Sequence, residues 1–253
     1  MSEQTGVSEQ VVDQSATKPF DGQVALVTGS SRGIGAATAI ALAAAGAHVL
    51  LTGRDTKALE AIEDQIYQSG GAATIAPVDL VEPDGIARLA TAVSQRWGKL
   101  DILIVNAAIL PELTSVADID QRAFNKALTT NVLATQALIA NFDPLLRKSE
   151  DARVIGMSSG VATKPRAFWG AYAATKAAGD VLLECYAEET RNTSKVRVAV
   201  VNPGATRTAM RARAYPGEAP ASVKPPEAVA ERLVALLGEQ FPSGHRESIN
   251  QSA

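Results

Sequence analysis

From Gln23 onward, short aliphatic runs rich in β-branched residues alternate with longer Ala-rich segments of helical period. No other feature limits the possible folds as much, because strand, helix and strand in repetition is the unit of a parallel sheet. The strand runs are Val24 to Thr28, His48 to Thr52, Thr74 to Val78, Ile102 to Asn106, Arg153 to Met157 and Val196 to Val201. Most are continuously apolar, as strands must be when helices cover both faces. Helices are expected in the gaps, among them Gly35 to Ala45, Pro83 to Trp97, Gln121 to Arg147 and Ala171 to Arg191. Right-handed crossovers then produce an α/β, Rossmann-type, doubly wound sheet flanked by helices.

The chain of 253 residues shows no internal repeat and no low-complexity linker, so residues 21–253 read as one domain. Residues 1–20 are polar and slightly acidic and read as a flexible tail; lacking an apolar stretch, they are neither a signal peptide nor a membrane anchor. Hydrophobic residues at 46% and charged ones at 20% support a sizeable core and exclude a largely disordered chain. Cys185 stands alone, which forbids an intrachain disulfide and a cysteine-rich zinc site and suits a reducing, cytoplasmic location. A net charge of -3 offers no bulk attraction to nucleic acid or to an anionic membrane, and neither partner is expected. Arg211 to Pro226 holds Pro216, Gly217, Pro220, Pro225 and Pro226, where helix and sheet are both discouraged, and reads as a loop or lid.

Thr28-Gly29-Ser30-Ser31-Arg32-Gly33-Ile34-Gly35 follows a strand and opens a helix, the context of a dinucleotide-binding turn. Glycines there allow a tight turn and a close approach of backbone to pyrophosphate, and the helix N-terminus offers free N–H groups. An acid binding the ribose 2′-hydroxyl is expected after the second strand, yet the stretch reads Thr52-Gly53-Arg54-Asp55. Arg54 and Arg32, converging from two turns, suit a 2′-phosphate through their planar forks, so NADP is favoured. The alternative has Arg54 solvated and Asp55 on the ribose.

Tyr172 and Lys176 lie four residues apart on an expected helix and so share a face. Ser159 ends the fifth strand, and Asn131 lies inside the long helix before it. Alone, Asn131 reads equally as a structural hydrogen-bonder. Together with the G-x-x-x-G-x-G turn, these positions resemble the short-chain dehydrogenase/reductase family from Gln23 to about Leu237, its Asn, Ser and Tyr-x-x-x-Lys falling on Asn131, Ser159, Tyr172 and Lys176. The resemblance implies an oxidoreductase that passes hydride between NADP(H) and a small carbonyl or secondary alcohol. Tyr172 would be general acid or base, its phenol made more acidic by the Lys176 ammonium and the nicotinamide charge. Ser159 would bond the substrate oxygen, Lys176 the nicotinamide ribose, and Asn131 would position Lys176 through a water.

For the cofactor, the resemblance implies contacts from Gly29, Ser31, Arg32, Gly33, Ile34, Gly35, Arg54, Asp79, Leu80, Asn106, Ala107, Ala108, Tyr172, Lys176, Pro203, Gly204, Thr206 and Thr208. Asp79 would meet the adenine, Asn106 the backbone around the ribose, and the Pro203-Gly204 turn the nicotinamide, with Thr206 and Thr208 on its carboxamide or the pyrophosphate. No metal is expected. The chain departs from the family pattern at Ala108, where glycine is usual, at Thr175, where serine is usual, and at its end, which has only a short possible strand at Ser248 to Asn250 in place of Asp-Gly-Gly. A homodimer or homotetramer is therefore expected through the long helices, whose stripe of Leu128, Val132, Leu182 and Leu183 equally suits an intrachain core. Ala209, Met210, Tyr215 and Trp169 are candidates for an apolar substrate pocket, and Arg207, Arg211 and Arg213 read as solvated. Other readings are a β-ketoacyl-type reductase, a non-catalytic NADP-binding sensor and an isomerase, epimerase or dehydratase of the extended fold; retention of Tyr172 and Lys176 speaks against the sensor, and the short C-terminal part against the last.

Overall fold

The computed structural model describes residues 18–249. Its strands are β1 (Val24–Thr28), β2 (His48–Gly53), β3 (Ala72–Pro77), β4 (Ile102–Val105), β5 (Arg153–Met157), β6 (Arg197–Asn202) and β7 (His245–Ser248). They form one sheet in the order β3-β2-β1-β4-β5-β6-β7, with every neighbouring pair parallel. The expected doubly wound sheet is thus present, and the chain reverses direction across the sheet between β1 and β4. In open α/β sheets ligands bind beyond the C-terminal strand ends at such a reversal.

Successive residues of one strand enter opposite cores, as a period of two requires. Ala25 and Val27 pack with Leu42, Leu59, Ile66 and Leu233, brought by α1 (Gly33–Ala44), α2 (Thr56–Gln68) and α9 (Pro226–Gly238). Val24 and Leu26 pack on the other face with Ile86, Leu89, Leu138, Phe142 and Leu183. Those side chains come from α3 (Gly85–Trp97), α5 (Ala134–Leu146) and α7 (Gly170–Thr190). Leu26, Ile104 and Val154 are fully buried, and each such side chain contributes roughly 1.5–3 kcal/mol by leaving water. Only the edge strands β3 and β7 are part-exposed along their length.

Several expectations need correction. The segment Gln121 to Arg147 is not one α-helix: α4 (Gln121–Leu128) passes into α5 through a π-helical turn, Thr129–Leu133, that carries Asn131. A widened turn is a common device for re-aiming a functional side chain. The segment Arg211 to Pro226 is not wholly irregular, since α8 (Ala209–Ala214) takes in its start, capped by Thr208, which accepts from the Arg211 N–H at 3.1 Å. The last strand begins at His245, earlier than expected, and Asn250 lies outside the described residues. Phe20, at the end of the stretch read as a tail, is buried against the first core and its N–H bonds the Ala45 carbonyl; residues 1–17 lie outside the described residues. Leu183 belongs to the intrachain core, whereas Leu133 and Val181 are more than half exposed. Among the described residues no helix is long and apolar enough to cross a membrane.

Candidate active site

The turn after β1 is held open by its neighbours. Thr28, fully buried, donates through its hydroxyl to the Ile104 carbonyl and accepts from the N–H groups of Asn106 and Ala107 at 2.9 and 3.0 Å. The Asn106 amide donates to the Thr28 and Gly29 carbonyls at 2.8 and 3.3 Å, so this side chain braces the loop between β1 and β4. Glycine is required at Gly35, where a Cβ would lie 2.2 Å from the Gly29 carbonyl oxygen and 2.6 Å from Asn106 Nδ2. The turn packs closely on itself and leads into α1, whose first turn carries no acidic side chain. Its free N–H groups and dipole favour a phosphate there. Ser30 ties the loop to β2 through the Thr52 carbonyl, and Ser31 sits beside Gly53. Ile34 packs on the core below.

Arg32 and Arg54 emerge from the turns after β1 and β2, both exposed and without an ion pair among the described residues. Asp55 is committed elsewhere: it caps α2, accepting from the Ala58 N–H at 3.2 Å. The alternative in which Asp55 serves a ribose is thereby weakened. Asp79 follows β3 and accepts from the Val81 N–H, while Leu80 packs on the second core. Ala107 and Ala108 follow β4, part-buried. After β6, Gly204 donates its N–H to Asn202 Oδ1 at 3.0 Å, following Pro203, and Thr206 is buried with its hydroxyl on the Pro203 and Gly204 carbonyls. Thr208 overlies the phosphate turn, its Cγ2 3.4 Å from where a Gly33 Cβ would be. These positions follow the C-terminal ends of β1, β2, β3, β4 and β6.

The helix α7 reaches the same end. It lies so close to β5 that a Cβ on Gly156 would fall 2.0 Å from Leu183 Cδ1. This tight contact sets α7 against the strand that delivers Ser159. Tyr172, 8% exposed, faces Ser159, whose hydrogen bond favours phenolate, but burial outweighs it and the nearby Asp180 charge adds to burial, so the phenol is pushed up to about 12. Lys176 donates from Nζ to the Met157 carbonyl, and burial pulls its ammonium down to about 8 against the stabilising charge of Asp180. The protein's own groups therefore move the phenol opposite to the expected direction, because desolvation of a buried acid favours its neutral form.

Asn131 is buried and fully engaged. Its Oδ1 accepts from the Ile109 N–H at 2.8 Å, and its Nδ2 donates to the Ile109 carbonyl and to Thr175 Oγ1, both at 2.9 Å. Thr175 in turn donates to the Tyr172 carbonyl at 2.9 Å. Asn131 thus joins the segment after β4 to the helical turn that bears Tyr172 and Lys176. Sequence reasoning treated Thr175 as a neutral replacement and gave Thr28 no role of its own. Threonine inside an Ala-rich helix and at a strand end was the available signal.

The phenol is enclosed by Leu110, Val161, Trp169 and Met210, with Tyr172 Oη 3.9 Å from Met210 Sδ and the Trp169 ring edge-on at 6.0 Å. Arg211 and Arg213 are not simply solvated. Arg211 stacks 3.6 Å from the Tyr215 ring and pairs with Glu218, and Arg213 donates to the Leu110 carbonyl. Arg207 is exposed. A cavity of about 680 Å³ lies at the opposite end of the sheet among Glu150, Asp151, Arg191, Lys195 and Arg197. Its charges largely pair with one another, and none of the site residues reaches it.

Comparison with known proteins agrees with this geometry. A family described as short chain dehydrogenase matches residues 23–219. The chain is 33% identical over 220 residues to the oxidoreductase YciK of Escherichia coli, covering 86% of each chain. A short chain dehydrogenase structure from Pseudomonas syringae is 38% identical with a TM-score of 0.88, covering 91% of this chain and 96% of that one. Another from Shigella flexneri, complexed with NADP, is 31% identical with a TM-score of 0.87, covering 91% and 98%. With the parallel sheet and these matches, the chain belongs to the short-chain dehydrogenase/reductase family of oxidoreductases.

Proposed function

We propose that this enzyme passes hydride between NADP(H) and an apolar carbonyl or secondary alcohol, with Tyr172 as general acid in reduction and general base in oxidation. The observation that carries the reading is the convergence of Ser159, Tyr172 and Lys176 at the C-terminal end of the sheet. The residues fit the cofactor: the first turn of α1 carries no acidic side chain against a phosphate, and Arg32 and Arg54 are exposed without an ion pair among the described residues, available to a 2′-phosphate. The similar Shigella flexneri protein was solved with NADP, which supports the same choice here. Gly29, Ser31, Arg32, Gly33, Ile34 and Gly35 would hold the pyrophosphate end. Arg54, Asp79 and Leu80 would hold the adenosine end, and Asn106 to Ala108, Pro203, Gly204, Thr206 and Thr208 the nicotinamide side. When bound, the cofactor supplies the hydride and, in its oxidised form, a positive charge.

Ser159 orients the substrate oxygen and bonds it as negative charge develops. Tyr172, kept neutral by burial, gives that oxygen its proton in reduction; a phenol held near about 12 is the stable donor form across neutral pH. Lys176, at about 8, stays largely charged near neutrality and lowers the cost of the phenolate left behind. Leu110, Val161, Trp169 and Met210 exclude water and favour an apolar substrate body. A second copy of the chain is expected on α4, α5 and α7, a reading supported by the exposed Leu133 and Val181.

The test is a panel of ketones, aldehydes and ketoacyl thioesters followed by NADPH absorbance. Tyr172→Phe is expected to abolish turnover of every active substrate while NADPH affinity stays unchanged. Turnover retained by that variant overturns the role of the phenol.

A further inference from the structure

We propose that Asp180 is a positioning residue of this site, whose buried carboxylate keeps Lys176 protonated and in place, and that Arg246 of β7 sets how strongly it does so. The proposal rests on the reading of Lys176 as a site residue. Positions 172, 176, 180 and 184 are one helical turn apart and share a face of α7. Asp180 is only 5% exposed, and a buried carboxylate persists only with partners. It has two: the Ser158 hydroxyl donates to Oδ2 at 2.6 Å, and Arg246 donates to the same oxygen at 2.8 Å.

The arrangement on the strand side is ordered. Three consecutive residues, the last of β5 and the two that follow it, each engage one member of the helix face: the Met157 carbonyl accepts from Lys176, Ser158 bonds Asp180, and Ser159 bonds Tyr172. A polar cavity of about 110 Å³, lined by Ser158, Ser159, Asn202, Arg246, Glu247 and Ser248, adjoins this clamp. The last strand is thereby linked to Lys176 through a single carboxylate.

Lys176 bonds the Met157 carbonyl and is acted on by the charge of Asp180; around that carboxylate stand Ser158 and Arg246, with Glu184 of α7 on Arg246, Glu247 of β7 beside Arg246 in the cavity lining, and the neutral Asn131 of the π turn on the neighbouring Thr175. Glu184 is bound to Arg246, and Glu247 is paired with Arg232 and His245, so both are partly compensated. Asp180 is the carboxylate that supports the ammonium, and Arg246 offsets part of its charge. Removing Asp180 and removing Arg246 must therefore act on Lys176 in opposite directions. A carboxylate that merely fastens helix to strand would produce no such opposition.

The experiment needs neither substrate nor cofactor. The chain is labelled with 13C at lysine Cε, the Lys176 resonance is identified by its loss in Lys176→Met, and its titration is followed by NMR from neutral to alkaline pH. In Asp180→Asn the midpoint is expected to fall by about one pH unit, and in Arg246→Gln to rise by about half a unit. Ser158→Ala, which keeps the charge, is expected to move it less than either. Arg246 is part-exposed, so its variant tests the idea even if Asp180→Asn fails to fold. An unmoved midpoint in Asp180→Asn, or a fall in Arg246→Gln, overturns the proposal. The alkaline limb of kcat is expected to follow the same shifts; absence of any NADPH-linked turnover in the wild type overturns the proposed function, whereas the lysine titration judges Asp180 independently.

Discussion

Replacing Asn131 by alanine removes three hydrogen bonds from a residue that is only 4% exposed. Each such bond contributes about 1 kcal/mol net, so the fold is expected to lose roughly 3 kcal/mol, with the Ile109 N–H and carbonyl left lacking a partner. For a chain of this size that lowers Tm by roughly 6–12 °C. Urea unfolding is expected to show the same loss as a lower midpoint at unchanged slope. The site is expected to suffer beyond stability, because Thr175 loses its link to the segment after β4, and the turn that carries Tyr172 and Lys176 is freed on one side. The expected signature is a lower kcat at 10 °C below the variant's own Tm, about where folding is intact, with NADPH affinity little changed. A stability loss under about 1 kcal/mol together with wild-type kcat refutes the role given to Asn131.

Further perturbations separate cofactor choice, electrostatics and motion. NADP is expected to bind at least about tenfold more tightly than NAD, or roughly 1.4 kcal/mol, and Arg54→Asp to reverse the preference; equal wild-type Kd values for the two cofactors refute the reading of Arg32 and Arg54. The Lys176 ammonium, lowered from 10.5 to about 8 by burial, binds its proton less tightly in the folded chain than in the unfolded one. Stability therefore rises with pH between those values, and Lys176→Met is expected to stabilise the chain at pH 7 by up to about 3 kcal/mol, a gain that fades from pH 8 to 10.5. A gain that does not depend on pH refutes burial as its cause. Amide exchange between Tyr215 and Val223 is expected to be fast and to slow with NADP and a substrate analogue present, and Arg213→Gln, by freeing the Leu110 carbonyl, is expected to extend fast exchange into α8. Full protection of this segment without ligand refutes a lid.

The sheet was legible in the sequence because its strands are buried on both faces, and continuous apolar runs such as Ile102 to Val105 have few other uses. The strand ends were legible for the same reason, so Gly29, Arg54, Asp79, Asn106, Ser159 and Gly204 are assigned from the sequence to the ends or following turns of β1 to β6. Features that depend on how helices cross the sheet were not legible. The π turn at Asn131 breaks no residue pattern, since Thr129 to Ala140 is equally acceptable as an α-helix. The bonds from Thr175 to Asn131 and from Asp180 to Arg246 span 44 and 66 residues, distances at which spacing carries no information.

The electrostatics were misjudged for a related reason. Sequence shows which charges are four residues apart, and from the Tyr172 and Lys176 spacing alone a more acidic phenol follows. Desolvation depends on what covers the pair, and much of the cover comes from Leu110, Val161 and Met210, which lie apart from it in sequence and close only in the fold. With that cover in place the neutral phenol and the weakened ammonium both follow from one cause, the removal of water. In the proposed reaction such a site would be a stable proton donor before hydride transfer, and the charge that holds the phenolate afterwards would have to come from Lys176. In the role proposed for Asp180, its bonds from Ser158 and Arg246 hold it where its charge supports Lys176, and the last strand would then belong to the chemistry as well as to the sheet.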